Sequence, residues 1–119
     1  MLTSRNLEKT FYRNAKIFFK INKHKYSLFA YSSSINRTES NKTLFIPFTD
    51  KTTGKVTYYT GRYLEIPEPK SENFKIDFNT AFNPLCNYSP AYNCAIPPSE
   101  NNLKVKIEAG EKTYPVKGH

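Results

Sequence analysis

The sequence has few of the residues that metal, redox, nucleotide-binding and membrane proteins depend on. No apolar run reaches the about 18 residues that a membrane-spanning helix needs, so no membrane span is expected. The only cysteines and histidines are Cys86, Cys94, His24 and His119, too scattered in sequence for a structural zinc site with four ligands. The four glycines form no phosphate-binding loop, and no serine stands in a Gly-x-Ser-x-Gly turn. The sequence therefore assigns no catalytic residue, no metal and no cofactor.

Acidic residues are scarce near the N-terminus, which carries most of the net charge of +8. Residues 1–25 contain seven lysines or arginines and one acid. Such a segment can contact nucleic acid or an anionic surface, but a solvated basic face that aids solubility is the preferred interpretation, so no nucleic-acid partner is expected. The chain as given shows no apolar signal segment, which predicts a cytoplasmic location. We expect a polar lead-in over residues 1–14 and a single β-domain over residues 15–119.

Alternation of apolar and polar residues dominates after residue 14 and predicts strands. The predicted strands span residues 15–21, 26–32, 43–48, 56–66, 74–79 and 103–108. The first two form a hairpin. Pro47 implies an edge or a bulge, and Gly61 a bulge or a close backbone approach. With little helix, about six strands predict a mostly β fold, an antiparallel sheet forming a small barrel or sandwich.

Residues 80–102 form one long loop that we expect to be ordered and pinned to the sheet. Long loops in small domains are usually functional or disordered, and the Cys, Pro and aromatic content of this one argues against disorder. Cys86 and Cys94 are separated by seven residues, which is not the C-x-x-C spacing of redox dithiols. We interpret them as a structural pair, bridged as a disulfide or merely packed as thiols.

Polar residues in and near this loop are the candidate ligand-binding residues. If their strands are neighbours, Arg62 and Asp77 could pair across them and anchor a polar pocket for a small ligand. The alternative is a buried polar network that only holds the loop in place. The candidate ligand-binding residues are Arg62, Asp77, Asn79, Asn83, Tyr88 and Asn101.

The same loop also carries a long and compositionally unusual pattern, which continues upstream and downstream. Its loop residues are Asp77, Phe78, Asn79, Ala81, Phe82, Asn83, Pro84, Cys86, Tyr88, Cys94, Pro97, Pro98, Glu100, Asn101 and Leu103. Its upstream residues are Phe48, Asp50, Thr52, Gly54, Thr57, Tyr58, Gly61, Arg62 and Tyr63, and it closes with Ala109, Gly110, Glu111 and Lys112. Over residues 15–112 the chain resembles the bacterial and archaeal family known as domain of unknown function 1684.

The resemblance implies a chain corresponding to the C-terminal half of a longer family domain, and some relatives are expected to be exported. A missing half predicts an exposed apolar face, covered by self-association or by a partner chain. The resemblance supplies no activity. The residues favour a non-catalytic module that binds a small ligand or a protein through the 77–101 loop. The alternative is an enzyme or thiol-redox protein that uses Arg62, Asp77 and the Cys86–Cys94 pair.

Overall fold

Four strands form one antiparallel sheet in the computed structural model, which describes residues 12–32, 43–67, 74–84 and 94–112. The strands lie in chain order across the sheet, so β1 and β4 are its two ends and the sheet is not closed. They are β1 (Tyr12–Ile21), β2 (His24–Ser32), β3 (Thr43–Phe48) and β4 (Arg62–Pro67). Two short 3-10 helices, Phe78–Thr80 and Ser99–Asn101, follow the sheet. Within the described ranges, no helix is long and apolar enough to cross a membrane.

The predicted N-terminal hairpin is confirmed. Its register runs from Ile21 opposite His24 back to Tyr12 opposite Ser32. The two turn residues, Asn22 and Lys23, have φ angles of 49° and 71°. A two-residue turn with positive φ at both positions matches the twist of the strands it joins, which explains why a polar break of this length produces a tight hairpin.

Pro47 interrupts the ladder between β2 and β3, instead of marking the predicted edge or bulge. The register pairs Tyr31 with Phe45, so Phe29 would next meet Pro47, which has no N–H to donate. The Asn101 side chain fills this gap. Its Oδ1 accepts from the Phe29 N–H at 2.8 Å, and its Nδ2 donates to the Phe29 carbonyl at 2.9 Å and to the Pro47 carbonyl at 2.8 Å. The carboxamide thus replaces the peptide group that a continuous ladder would supply.

The prediction of about six strands in a barrel or sandwich is not confirmed, because the described residues contain four strands in an open sheet. Residues 74–79 and 103–108 are not strands. Leu103 and Ile107 are buried while Lys104 and Lys106 are exposed, so the alternation does report a buried and a wet side. The backbone of this segment, however, bonds to residues 49–51 and to buried side chains rather than to a continuous strand.

The predicted strand over residues 56–66 is shorter than expected, because the chain forms successive turns until Gly61 and is strand only from Arg62. Gly61 has a φ of +111°, and a Cβ there would lie 2.5 Å from the Phe48 carbonyl oxygen. Only glycine tolerates both conditions without strain. The close backbone approach predicted at Gly61 is therefore confirmed.

The hydrophobic core lies between one face of the sheet and the segments that follow it. Strand residues supply most of it, and three residues after the sheet complete it. The buried members are Ile17, Leu28, Ala30, Leu44, Ile46, Phe48, Leu64, Ala81, Leu103 and Ile107. The segment 101–112 therefore lies against the sheet, where it meets the polar groups described next.

Candidate functional site

A buried ion pair joins Asp50, just after β3, to Arg62, the first residue of β4. Arg62 Nη2 lies 3.7 Å from Asp50 Oδ1, and neither side chain is exposed to solvent. The pair sits at one end of the core, since the Arg62 guanidinium carbon lies 5.3 Å from the centre of the buried Phe48 ring. Two charges this deep are stable only when further hydrogen bonds satisfy them.

The guanidinium of Arg62 binds three backbone carbonyls of the last described segment. Nη2 donates to the Ile107 carbonyl at 2.8 Å, and Nη1 donates to those of Ala109 at 2.7 Å and Glu111 at 3.2 Å. Burial lowers the pKa of Arg62, and the negative charge of Asp50 acts in the opposite direction. One fixed cation therefore holds residues 107–111 against the sheet.

The carboxylate of Asp50 is satisfied by its own turn and by the same segment. The Thr52 hydroxyl donates to both carboxylate oxygens, at 3.0 and 2.9 Å, and the Thr53 hydroxyl donates to Oδ1 at 3.0 Å. The Ile107 N–H donates to Oδ2 at 2.6 Å. The turn after β3 and the segment 103–112 are thus joined through one buried acid.

Arg62 does not form the predicted pair with Asp77. Its side chain is fully buried against Asp50, whereas Asp77 is exposed and caps the 3-10 helix that follows it, accepting from the Asn79 N–H at 2.9 Å. Asn79 is exposed as well. The prediction was wrong because residues 74–79 are not a strand beside β4, so no cross-strand register places the two side chains together.

Two of the candidate asparagines are buried and connect segments that are far apart in sequence. The Asn83 Nδ2 donates to the Lys112 carbonyl at 2.7 Å, and its backbone N–H donates to Glu111 Oε1 at 2.6 Å. Asn101, fully buried, joins β2 to β3 as described above. For these two residues the geometry matches the alternative interpretation, a polar network that holds the loop ends in place.

The loop is anchored at both ends of its described part. Phe82 forms a backbone bridge with Tyr63, and the Tyr63 hydroxyl donates to the Ala95 carbonyl. Burial, with a smaller contribution from Tyr58, raises the pKa of Tyr63 above its usual range. Tyr88 and Cys86 lie outside the described residues, and Cys94 is half-buried at the start of the next described range. The roles of Tyr88 and of the Cys86–Cys94 pair stay predictions.

A basic cavity opens beside the Asp50 turn. Its volume is about 350 Å³, within the range of about 300–1,000 Å³ typical of small-molecule pockets. Two stretches of chain line it, the turn over residues 51–56 and the segment over residues 106–112. The lining residues are Lys51, Thr52, Lys55, Val56, Lys106, Glu108 and Lys112.

Four lysines face one acid in this cavity, so its lining is strongly positive. Thr52 at its base is buried and has its hydroxyl engaged by Asp50. The Lys112 ammonium donates to the Glu108 carbonyl, which holds one cation at the rim. Val56 is 52% exposed and adds an apolar surface. Chemically, the cavity can attract and bind an anion.

Sequence reasoning did not identify this cavity or the role of Asp50. The two pairs of lysines lie about fifty residues apart in sequence, and their segments are brought together by long-range bonds of Asp50, Arg62 and the Lys51 backbone to residues 105–111. A usable signal was the turn motif itself, Asp50-Lys51-Thr52-Thr53, because Asp and Thr side chains in turns readily form short-range hydrogen bonds. Within the described ranges, no group of three or more His, Cys, Asp or Glu side chains could hold a metal ion.

The family model described as "Protein of unknown function (DUF1684)" matches residues 1–112. The chain belongs to the DUF1684 family. The resemblance inferred from the motif residues is therefore confirmed. The motif residues Asp50, Thr52, Gly61 and Arg62 lie in the buried network or the close approach described above, and the buried Thr57 joins that network through a hydrogen bond of 3.0 Å between its hydroxyl and that of Thr52. In this DUF1684 chain these residues therefore maintain the fold around the cavity.

One solved structure similar to this DUF1684 chain is the solution NMR structure of an uncharacterised protein from Haloarcula marismortui. It is 36% identical, with a TM-score of 0.64, over 82% of this chain and 54% of that one. The chain thus spans about half the length of that relative. No curated protein matches the chain.

Proposed function

We propose that this chain is a non-catalytic binding domain that takes a small anionic ligand in the basic cavity beside the Asp50 turn. One observation carries the proposal: four lysines and a single acid line a cavity of about 350 Å³. A cavity lined by charges of one sign concentrates ligands of the opposite sign. The ligand class is therefore a small molecule bearing phosphate or carboxylate groups.

Rigid support distinguishes this cavity from a chance cluster of surface lysines. Lys51 donates its backbone N–H to the Val105 carbonyl at 3.1 Å, which ties the two walls together directly. The Asp50–Arg62 pair ties them again from below. Binding groups held on such a frame lose little freedom when a ligand binds.

We therefore keep the interpretation of the chain as a binding module, but we place its site in the basic cavity instead of the 77–101 loop. In the 77–101 loop, Asp77 caps a 3-10 helix at the surface. Asn83 and Asn101 are buried and donate hydrogen bonds to backbone carbonyls. The alternative of an enzyme or thiol-redox protein is disfavoured by Arg62. Its side chain has no solvent exposure and binds three carbonyls and Asp50, so it is not accessible to a substrate.

Calorimetric titration tests the proposal. Inorganic phosphate, pyrophosphate and citrate are titrated at low ionic strength, where charge attraction is least screened. We expect at least one of them to bind with a dissociation constant of about 1 mM or tighter. The double variant Lys51→Gln/Lys106→Gln should weaken binding by about tenfold, because it removes one cation from each wall.

The double variant Lys75→Gln/Lys104→Gln is the matched control, since both lysines are exposed and neither lines the cavity. It removes the same two charges and should leave the affinity within about twofold. Equal weakening by this control and by the cavity variant would show that only overall charge matters, and would refute the proposal. The absence of binding by every anion tested would refute it as well.

A further inference from the structure

The outer edge of β1 presents a row of backbone groups directed away from the sheet. The Phe29 N–H and carbonyl both point to Asn101, hence away from β1. Lys16 lies opposite Phe29, so its own N–H and carbonyl point away from β2. Phe18 and Lys20 lie two and four residues further along β1, so their N–H and carbonyl groups also point away from β2. Within the described ranges, β1 has a strand neighbour only on its β2 side.

The side chains of these three residues share one face of the hairpin, opposite the core. Phe18 is 73% exposed, and the Lys16 ammonium lies 5.5 Å from the centre of its ring. Lys20 is exposed as well, and Lys25 lies opposite it on β2. The edge therefore alternates cation, aromatic ring and cation along one face.

We propose that this edge of β1 binds an extended acidic segment of a partner protein by strand addition. Free N–H and carbonyl groups at a sheet edge supply the main-chain bonds of such complexes, and side chains on alternate positions supply the specificity. The segment that fits has acidic residues opposite Lys16 and Lys20 and an apolar residue opposite Phe18. Opposite charges directly across two strands stabilise the pairing.

A second copy of the chain fits this edge poorly. Antiparallel pairing about Phe18 would place Lys16 of one copy opposite Lys20 of the other, and like charges directly opposite are destabilising. Lysines on edge strands prevent self-pairing for this reason. A single-stranded nucleic acid could use the lysines and the Phe18 ring, but it would leave the row of backbone groups unpaired. The backbone geometry therefore favours an acidic peptide.

The test uses the whole chain and an alternating peptide of about ten residues, a length that spans a typical strand. Glutamate and valine alternate at every second position of this peptide, with threonine between them, so that one face presents glutamate, valine and glutamate to Lys16, Phe18 and Lys20. Two probes accompany it: a scrambled peptide of equal composition and an oligothymidine of similar length. Amide hydrogen exchange is followed by NMR at Lys16, Phe18 and Lys20. We expect the alternating peptide to slow exchange at these three amides, because strand addition hydrogen-bonds them.

Charge reversal supplies the matched variants. Lys16→Glu/Lys20→Glu should weaken binding of the alternating peptide by about tenfold or more, because two favourable cross-strand pairs become repulsive. Lys75→Glu/Lys104→Glu changes the net charge equally at exposed positions off this edge and should have much less effect.

Four results would overturn the proposal: no slowing of exchange at the three amides, equal binding of the scrambled peptide, tighter binding of the oligothymidine, or a concentration-dependent dimer with the edge protected. A folded Lys16→Glu/Lys20→Glu variant that still binds the alternating peptide as wild type would overturn it too.

Discussion

Replacing Arg62 with Met should destabilise the protein severely, because Arg62 is the charged partner that makes a buried Asp50 tolerable. The change removes an ion pair of 3.7 Å and three hydrogen bonds to the carbonyls of residues 107, 109 and 111. Removing one partner of a buried pair costs about 3–5 kcal/mol, since the other charge stays buried and uncompensated. A domain of this size has a total stability of about 5–15 kcal/mol, so the loss is a large share of the whole.

Urea unfolding measures this loss. With a slope of about 1–3 kcal/mol per molar urea, the midpoint should fall by about 1–5 M. Lys104→Met is the control, because it replaces an exposed cation with the same side chain and surface changes of this kind usually shift stability by less than about 0.5 kcal/mol.

A double-mutant cycle tests whether the stability loss comes from the uncompensated charge of Asp50, and not only how large the loss is. Asp50→Asn alone leaves Arg62 buried without its counter-charge, and should also be destabilising. Combining it with Arg62→Met removes both charges, so the double variant should lose less stability than the two single losses added together. Strict additivity, or a loss below about 1 kcal/mol for Arg62→Met, would refute the account of the pair as a buried and mutually dependent unit.

Three further changes probe single contacts. Asn101→Ala should cost about 2–5 kcal/mol in urea unfolding and speed hydrogen exchange at the Phe29 amide, because the buried Pro47 carbonyl and the half-buried Phe29 carbonyl and N–H lose their partner; an unchanged Phe29 amide would contradict this. Gly61→Ala should lower the melting temperature well beyond Gly54→Ala. Both glycines have positive φ, but a Cβ at Gly61 would meet backbone at 2.5 Å, and one at Gly54 has its nearest contact at 4.0 Å; equal losses would show that the close approach is relieved at no cost. Burial and the neighbouring Tyr59 raise the pKa of Tyr58 from 10.0 to about 12. The neutral phenol is thus favoured in the folded chain, and its contribution is complete below pH 10 and declines as the pH rises towards 12. Wild type should lose stability relative to Tyr58→Phe across that window, and parallel pH profiles would contradict it.

Local patterns predicted the hairpin well. Alternation over residues 15–21 and 26–32 reports which side faces the core, and the short polar break between them permits only a tight turn. Both features depend on neighbours in sequence, so they can be read without knowledge of the rest of the fold. The close approach at Gly61 was predictable for the same reason, because glycine inside an aromatic run marks such places.

The alternating pattern wrongly predicted a strand where side chains, instead of a neighbouring strand, hydrogen-bond the backbone. Residues 103–108 alternate as a strand would, and their burial alternates accordingly. Their partners, however, are Asp50 and Arg62 as well as backbone, and no periodicity encodes that choice. The same limit applies to Arg62, whose partner among several acids depends on which segments meet in three dimensions.

The basic cavity could not be read from the sequence. Lys51 and Lys55 lie in a turn, and Lys106 and Lys112 lie in the segment that the buried pair holds against it. Each pair alone is an ordinary solvated face. Long-range contacts, among them the bond between Asp50 and Ile107, make them one site.

An NMR titration with pyrophosphate tests the central claim most directly, since it separates the cavity from the basic hairpin. Backbone amide shifts are followed as pyrophosphate is added to the whole chain at low salt. The account predicts saturable shifts concentrated at residues 51–56 and 106–112, with a single dissociation constant for both stretches. Shifts that are largest over residues 16–25, or that grow without saturation at every exposed lysine, would contradict it.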